Sequence, residues 1–122
     1  MKMLVVDDDP EIRELLKVFL ETEGYTPVLL DKGESVIKTV LGDTFALVLL
    51  DIKLPDADGI DLLKKIHKLD KELPVMMITG FKDAETVIDA FREGAVDCVL
   101  KPLNFEYLKS NISSRARKID LL

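Results

Sequence analysis

The chain has a single cysteine, Cys98, a single histidine, His67, and no tryptophan. One thiol cannot build an internal disulfide framework, and without a CxxC spacing or a Cys/His cluster nothing suggests zinc. Long apolar runs are also missing. The opening MKMLVVDDD closes a short apolar stretch with three aspartates, so it reads neither as a signal peptide nor as a membrane span. A cytoplasmic location with no membrane partner is the resulting expectation. Basic residues are in deficit: 17 Lys and Arg face 23 Asp and Glu, for a formal net charge of −6. That balance repels phosphate backbones and argues against direct contact with nucleic acid. There is no internal repeat, low-complexity tract or linker.

What is present reads as one domain over residues 1–122, with 48% hydrophobic and 33% charged residues. Short apolar runs at Met3–Val6, Thr26–Leu30, Ala46–Leu50, Val75–Ile78 and Val96–Leu100 are rich in Val, Ile, Leu and Met. Near-continuous runs of this kind predict strands covered on both faces, as in a parallel sheet between helices.

Amphipathic stretches lie between and after these runs. Asp9 can cap a helix that begins at Pro10 and carries Ile12, Leu15, Leu16, Phe19 and Leu20 on one stripe, up to Gly24. Further stripes are Val36, Ile37, Val40 and Leu41; Ile60, Leu63, Ile66 and Leu69; and Ala84, Val87, Ile88 and Phe91. The last is Phe105, Leu108 and Ile112, capped by Asn104 and extending toward Ile119. The alternation predicts an α/β, doubly wound (βα)5 sandwich.

In such sheets ligands bind beyond the carboxyl ends of the strands. Here those ends carry Asp7-Asp8-Asp9, Asp51, Thr79-Gly80 and Lys101-Pro102. If the first and third strands are neighbours, Asp7, Asp8 and Asp51 share a small space, and a cation would relieve their repulsion. Mg²⁺ suits an all-oxygen set, and Mn²⁺ is a second candidate. A carboxylate can attack phosphorus to give an aspartyl phosphate, with Lys101 and Thr79 placed to stabilise the phosphoryl oxygens.

The segments LVVDDDP, LLDIKLPDADG, MMITG and VLKP, in that order, resemble the receiver domain of two-component response regulators, the CheY-like family. The resemblance covers essentially the whole chain. It implies a five-stranded parallel sheet in the flavodoxin-like order 2-1-3-4-5. It implies phosphorylation of Asp51, with Mg²⁺ held by Asp8, Asp51 and the backbone carbonyl of Lys53, and with Asp7 assisting. Thr79 would be the switch hydroxyl and Lys101 the site lysine, followed by a cis bond to Pro102. The chain would act as a phosphoacceptor that assists its own phosphorylation and dephosphorylation, not as an enzyme on a separate substrate. The implied partners are a sensor histidine kinase or phosphotransfer protein, docking near Arg13 to Leu20 and the loop after Lys101. An output partner or domain, and a homodimer through the fourth helix, fifth strand and fifth helix, are implied too. Both a stand-alone receiver and one excised from a longer regulator fit.

One position departs from the family pattern. Cys98 stands where many receivers carry the Tyr or Phe whose ring follows the switch hydroxyl inward. Phe81 and Tyr107 are the aromatic residues that could stand in. Lys53 and Phe81, flanking the site, are poorly suited to orient an attacking water, so slow to intermediate loss of phosphate is expected.

Bland roles are expected for several polar groups: loop and cap for Asp56 and Asp58, a solvated face for His67, Lys64, Lys65 and Lys68, and a helix end for Arg115, Arg117 and Lys118. Cys98 itself is expected in the core. Two alternatives remain. One is an interaction module that never takes phosphate. The other is a phosphatase of the haloacid-dehalogenase kind, with Asp7 as nucleophile and Asp9 as acid–base.

Overall fold

The structure is a computed structural model, and it describes residues 1–80 and 84–119. Among these, strands and helices alternate: β1 (Lys2–Val6), α1 (Pro10–Thr22), β2 (Thr26–Leu30), α2 (Val36–Gly42), β3 (Leu47–Asp51), α3 (Gly59–Leu69), β4 (Val75–Thr79), α4 (Ala84–Arg92), β5 (Asp97–Leu100) and α5 (Phe105–Arg115). The strands form one parallel sheet in the order β2-β1-β3-β4-β5. That is the doubly wound, flavodoxin-like arrangement expected from the resemblance.

The sheet divides two apolar layers. Val36 and Val40 of α2, Leu62, Leu63 and Ile66 of α3, and Ala90 of α4 pack on one face, against Leu4, Val6, Val48, Leu50 and Met77. Leu16 and Leu20 of α1, with Leu108 and Ile112 of α5, cover the other, against Met3, Val5, Leu49, Met76 and Ile78. Fully burying one such aliphatic side chain contributes about 1.5–3 kcal/mol, so these layers hold the sheet between its helices. β1, β3 and β4 lie inside the sheet and are buried almost throughout, whereas β2, at an edge, is only half-buried.

Local signals set several helix starts. The Asp9 carboxylate accepts from Glu11 N and Pro10 follows as the first helical residue. Asp58 caps α3 by accepting from Ile60 N, and Asn104 caps α5 by accepting from Tyr107 N. Asp9 is thus engaged as a cap, which does not suit the acid–base role of the phosphatase reading.

Five expectations need correction. α5 stops at Arg115 and does not reach Ile119, because Ala116 turns extended and Arg117 N donates to Ala46 O. The Arg117 guanidinium then donates to Phe45 O and Asp70 Oδ2, each at 2.9 Å, so Arg117 is a clasp and not a helix-end charge. The buried strips are narrower than the expected stripes: Leu15, Leu41, Leu69, Ile88 and Phe91 are exposed, while Leu62 is buried. A helix lying on a sheet buries a narrow strip, and periodicity marks a face without fixing its width. Cys98 is half-buried on an edge strand, and His67 is half-buried as well. A Cβ on Gly94 would lie 2.8 Å from His67 Nδ1, so the imidazole packs over that glycine, whose φ is +107°.

Candidate functional site at the carboxyl edge of the sheet

Strand register decides which side chains meet. Val6 pairs with Leu50, so the next residues, Asp7 and Asp51, emerge side by side. Asp51 pairs with Ile78, and Thr79 with Leu100, which brings Thr79 and Lys101 onto the same edge. The adjacency of β1 and β3, left open by the residues alone, is therefore present.

The result is a compact acidic group. Carboxylate oxygens of Asp7, Asp8 and Asp51 all lie within 4.8 Å of one another. Asp7 is fully buried, Asp51 is 5% exposed, and Asp8 faces solvent. Lys101 Nζ lies 3.0 Å from Asp7 Oδ2 and donates to Asp51 Oδ2 at 3.2 Å. The contact with Asp7 is an ion pair without hydrogen-bond geometry, and Asp7 Oδ2 is buried with no hydrogen-bond partner. Asp7 Oδ1 accepts from Asp9 N, and Asp51 Oδ1 accepts from Lys53 N. Thr79 is fully buried, and its carbonyl accepts from Lys101 N at 2.8 Å. The Lys101-Pro102 bond is cis.

Burial pushes the Asp51 carboxyl above its ordinary range; the Lys53 amide opposes this, Asp7 adds to it, and Lys101 draws it back in part. Burial also works against the Lys101 charge, yet the Asp7 and Asp51 carboxylates outweigh it and hold the ammonium above its ordinary value. Three carboxylates thus meet one ammonium in a mostly desolvated corner. A buried carboxylate oxygen lacking a hydrogen bond, within an all-oxygen set, is a donor arrangement that fits a small hard cation.

Close packing fixes the acceptor loop. A Cβ on Gly59 would collide with the Asp51 carbonyl oxygen and lie 2.6 Å from Ile52 Cα, so α3 starts hard against the end of β3. Gly59 N donates to Ile52 O at 2.7 Å.

Sequence reasoning missed three supporting residues. Arg13 Nη1 donates to the Asp7 carbonyl at 2.8 Å, and thereby pins the backbone beside the acidic group. Asp56, expected as a loop residue, accepts from Gly33 N and Glu34 N, at 2.8 and 3.0 Å. Asp97, buried at the start of β5, accepts from the Tyr107 hydroxyl at 2.6 Å. That bond holds Tyr107 at the far end of β5 from Thr79, so it is badly placed to stand in for a ring at position 98. Phe81 lies outside the described residues. The Cys98 thiol is pushed up by burial and by Asp97, which keeps it protonated and poorly reactive.

No helix among the described residues is long and apolar enough to cross a membrane. The family model of the response regulator receiver domain matches residues 3–113. Among curated proteins, the transcriptional regulatory protein ZraR of Escherichia coli K12 is 36% identical over 110 residues, 90% of this chain and 25% of ZraR. FixJ of Bradyrhizobium diazoefficiens is 31% identical over 116 residues, 95% of this chain and 57% of FixJ. The chain therefore spans a quarter to little more than half of these relatives.

Among solved structures, a CheY-like receiver domain protein from Methanospirillum hungatei JF-1 superposes with a TM-score of 0.89 at 34% identity, covering 93% of this chain and 90% of that one. TrrA from Thermotoga maritima, solved in complex with Mg²⁺-BeF, gives 0.84 at 33% identity, covering 93% and 96%. Phosphorylation-dependent switching in two-component signalling is the general role of such domains. By sequence and fold alike, this chain belongs to the response regulator receiver domain family.

Proposed function

We propose that the chain takes a phosphoryl group onto the Asp51 carboxylate, in a reaction that needs Mg²⁺, from the phosphohistidine of a sensor kinase or phosphotransfer protein. The observation that carries this reading is the position of Asp51. Its carboxylate lies at the end of β3, almost buried, beside Asp7 and Asp8, with Lys101 Nζ 3.2 Å from Oδ2.

Asp8, Asp51 and the Lys53 carbonyl would hold the cation, with Asp7 backing Asp8; Mn²⁺ would fit the same donors. When bound, the cation supplies positive charge to the oxygens of the transferring group. A carboxylate oxygen of Asp51 forms the new bond to phosphorus as the donor's nitrogen–phosphorus bond breaks, and the leaving imidazole takes up a proton. Lys101 offers its ammonium to the phosphoryl oxygens, and Thr79 offers its hydroxyl. The chemistry is positioning and electrostatics, with no other substrate turned over.

Phosphate on Asp51 then biases an equilibrium between two arrangements of the domain. The face formed by α4, β5 and α5 is the proposed output and dimer surface; Ile88, Phe91, Leu100 and Tyr107 lie exposed there. Cys98, diagonal to Thr79 across the β4–β5 pair, takes the switch position with a side chain that cannot swing as a ring does. Where α1 meets the start of α5, Leu15, Val18, Phe19 and Phe105 line a hollow of about 260 Å³, which suits the docking of a kinase helix. The proposed setting is the cytoplasm, as for the family.

Incubation with acetyl phosphate, with and without Mg²⁺, tests the acceptor. A single metal-dependent phosphate that Asp51→Asn abolishes supports the reading. A folded protein that takes none favours a phosphate-independent interaction module.

A further inference from the structure

The 52–58 loop carries Lys53, whose carbonyl is the one backbone ligand in the cation site proposed above. An antiparallel bridge between Lys53 and Asp58 closes this loop, and Leu54 N donates to Ala57 O within it. The loop's ends are held by buried Ile52 and Leu54 and by Gly59 against β3, while its tip at Pro55 and Asp56 is exposed. Asp56, at the tip, reaches across to the loop between β2 and α2, 22 and 23 residues away in sequence. There both of its oxygens accept backbone amides, Oδ1 from Gly33 and Oδ2 from Glu34.

The contact is built from both sides. Gly33 is buried, and a Cβ on it would lie 2.5 Å from Ala57 Cβ, so no other residue lets the two loops touch this closely. The loop that Asp56 grips starts at the end of β2, where the Leu30 carbonyl accepts from Asp7 N at 3.1 Å. Asp56 therefore closes a ring of connections: Asp7 to Leu30, along residues 31–34, across to Asp56, back through the loop to Lys53, and from Lys53 N to Asp51 Oδ1. Closed by the β1–β3 pairing, the ring joins the two walls of the acidic group, and Asp51 Oδ1 is the one ligand side chain in it.

We propose that Asp56 is a positioning residue for the cation site: by gripping the Gly33 and Glu34 amides it fixes the 52–58 loop, and with it the direction of the Lys53 carbonyl. The inference rests on the reading of Asp7, Asp8, Asp51 and Lys53 as a Mg²⁺ site. Asp56 touches neither cation nor phosphoryl group, and acts through Lys53. Removing a residue that orients a metal ligand typically weakens binding about 10- to 100-fold, and a single backbone ligand belongs at the low end of that range.

The test uses the full chain and three variants, Asp56→Ala, Asp56→Asn and Asp56→Glu. Mg²⁺ affinity is measured by calorimetry, and melting is followed in EDTA. The rate of phosphorylation by acetyl phosphate is measured as a function of Mg²⁺ concentration. The expected result is that Asp56→Ala raises the half-saturating Mg²⁺ concentration about tenfold, with the rate at saturating Mg²⁺ unchanged. Asp56→Glu, which keeps both acceptor oxygens, recovers part of the affinity. Should Asp56→Ala fail to fold, Asp56→Asn, which keeps one acceptor, carries the same comparison.

Wild-type affinity in a folded Asp56→Ala protein overturns the proposal and leaves the cation site standing. So does a loss of saturating rate that follows the loss of melting temperature, since that marks a purely structural tie. Absence of Mg²⁺ binding in the wild type overturns the cation site itself, and the proposal with it.

Discussion

Lys101 Nζ stands 3.0 Å from Asp7 Oδ2, an oxygen that is buried and accepts no hydrogen bond. The ammonium also serves Asp51, so one positive charge is shared by two desolvated carboxylates, with a third, Asp8, close by. Such a corner is held together against its own repulsion, and stability should respond when a negative charge is removed.

Asp51→Asn should accordingly stabilise the metal-free protein near neutral pH. The folded-state carboxyl of Asp51 lies above its ordinary range, chiefly through burial. The unfolded chain thus gives up this proton at lower pH than the folded one, and stability falls as pH rises from the ordinary carboxylate value through the raised one. In EDTA the variant should melt above wild type at pH 7, each kcal/mol of the difference appearing as about 3–5 °C in a domain of this size. The gap should close as the pH is lowered below the ordinary carboxylate range, where both states are protonated. Calorimetric melts across pH check it; a gap of constant size would contradict it.

Gly59→Ala should damage fold and site together. The new methyl would meet the Asp51 carbonyl and the Ile52 backbone, and neither can move aside as a flexible side chain could. A loss of about 2–3 kcal/mol is expected from such overpacking, along with slower phosphorylation because α3 and the acceptor strand must separate. Urea denaturation measures the first effect, and acetyl phosphate labelling the second.

Arg117→Ala should separate stability from chemistry. The guanidinium donates to Phe45 O and Asp70 Oδ2 at the amino edge of the sheet, the edge opposite Asp51. Its loss should lower stability by about 1–2 kcal/mol, since two hydrogen bonds to partly buried groups go unmade. The rate of labelling by acetyl phosphate should stay within error of wild type. A matching loss of rate would show that the clasp reaches the site.

Tyr107→Phe removes the hydroxyl that donates to Asp97 and leaves a buried carboxylate short of a partner. A cost of about 1–3 kcal/mol is expected. Tyr107 itself is held above its ordinary value, first by this hydrogen bond and then by burial. The bond therefore contributes fully below the ordinary phenol range and is lost as pH rises through the raised value. Denaturation of both proteins at pH 7 and at alkaline pH should show the wild-type advantage shrinking at the alkaline end.

The parts of the fold readable in the sequence are those written within a few residues. Asp9 before Pro10, Asp58 before Gly59 and Asn104 before Phe105 cap helices by side chain–backbone bonds that span two or three positions. The apolar runs named the strands, and the polar residues following them named the edge where Asp7, Asp51, Thr79 and Lys101 gather. The partners of Arg13, Asp56, Tyr107 and Arg117 left no such trace. Arg117 meets Phe45 and Asp70 across 72 and 47 positions, a pairing that only strand order creates. Periodicity also overestimated α4. It selected Ile88 and Phe91, which are 52% and 49% exposed, whereas the buried contact is Ala90, because α4 packs near an edge strand with little sheet to cover.

On the proposed function, Asp51 accepts phosphate in a site completed by a divalent cation. Intact mass after acetyl phosphate treatment, measured for wild type and Asp51→Asn, with Mg²⁺ and with EDTA, tests it most directly. The expected result is one added phosphate in the wild type with Mg²⁺, and none in EDTA or in the variant. A folded wild type that stays unmodified with Mg²⁺, or an Asp51→Asn protein that still gains the phosphate, would contradict it.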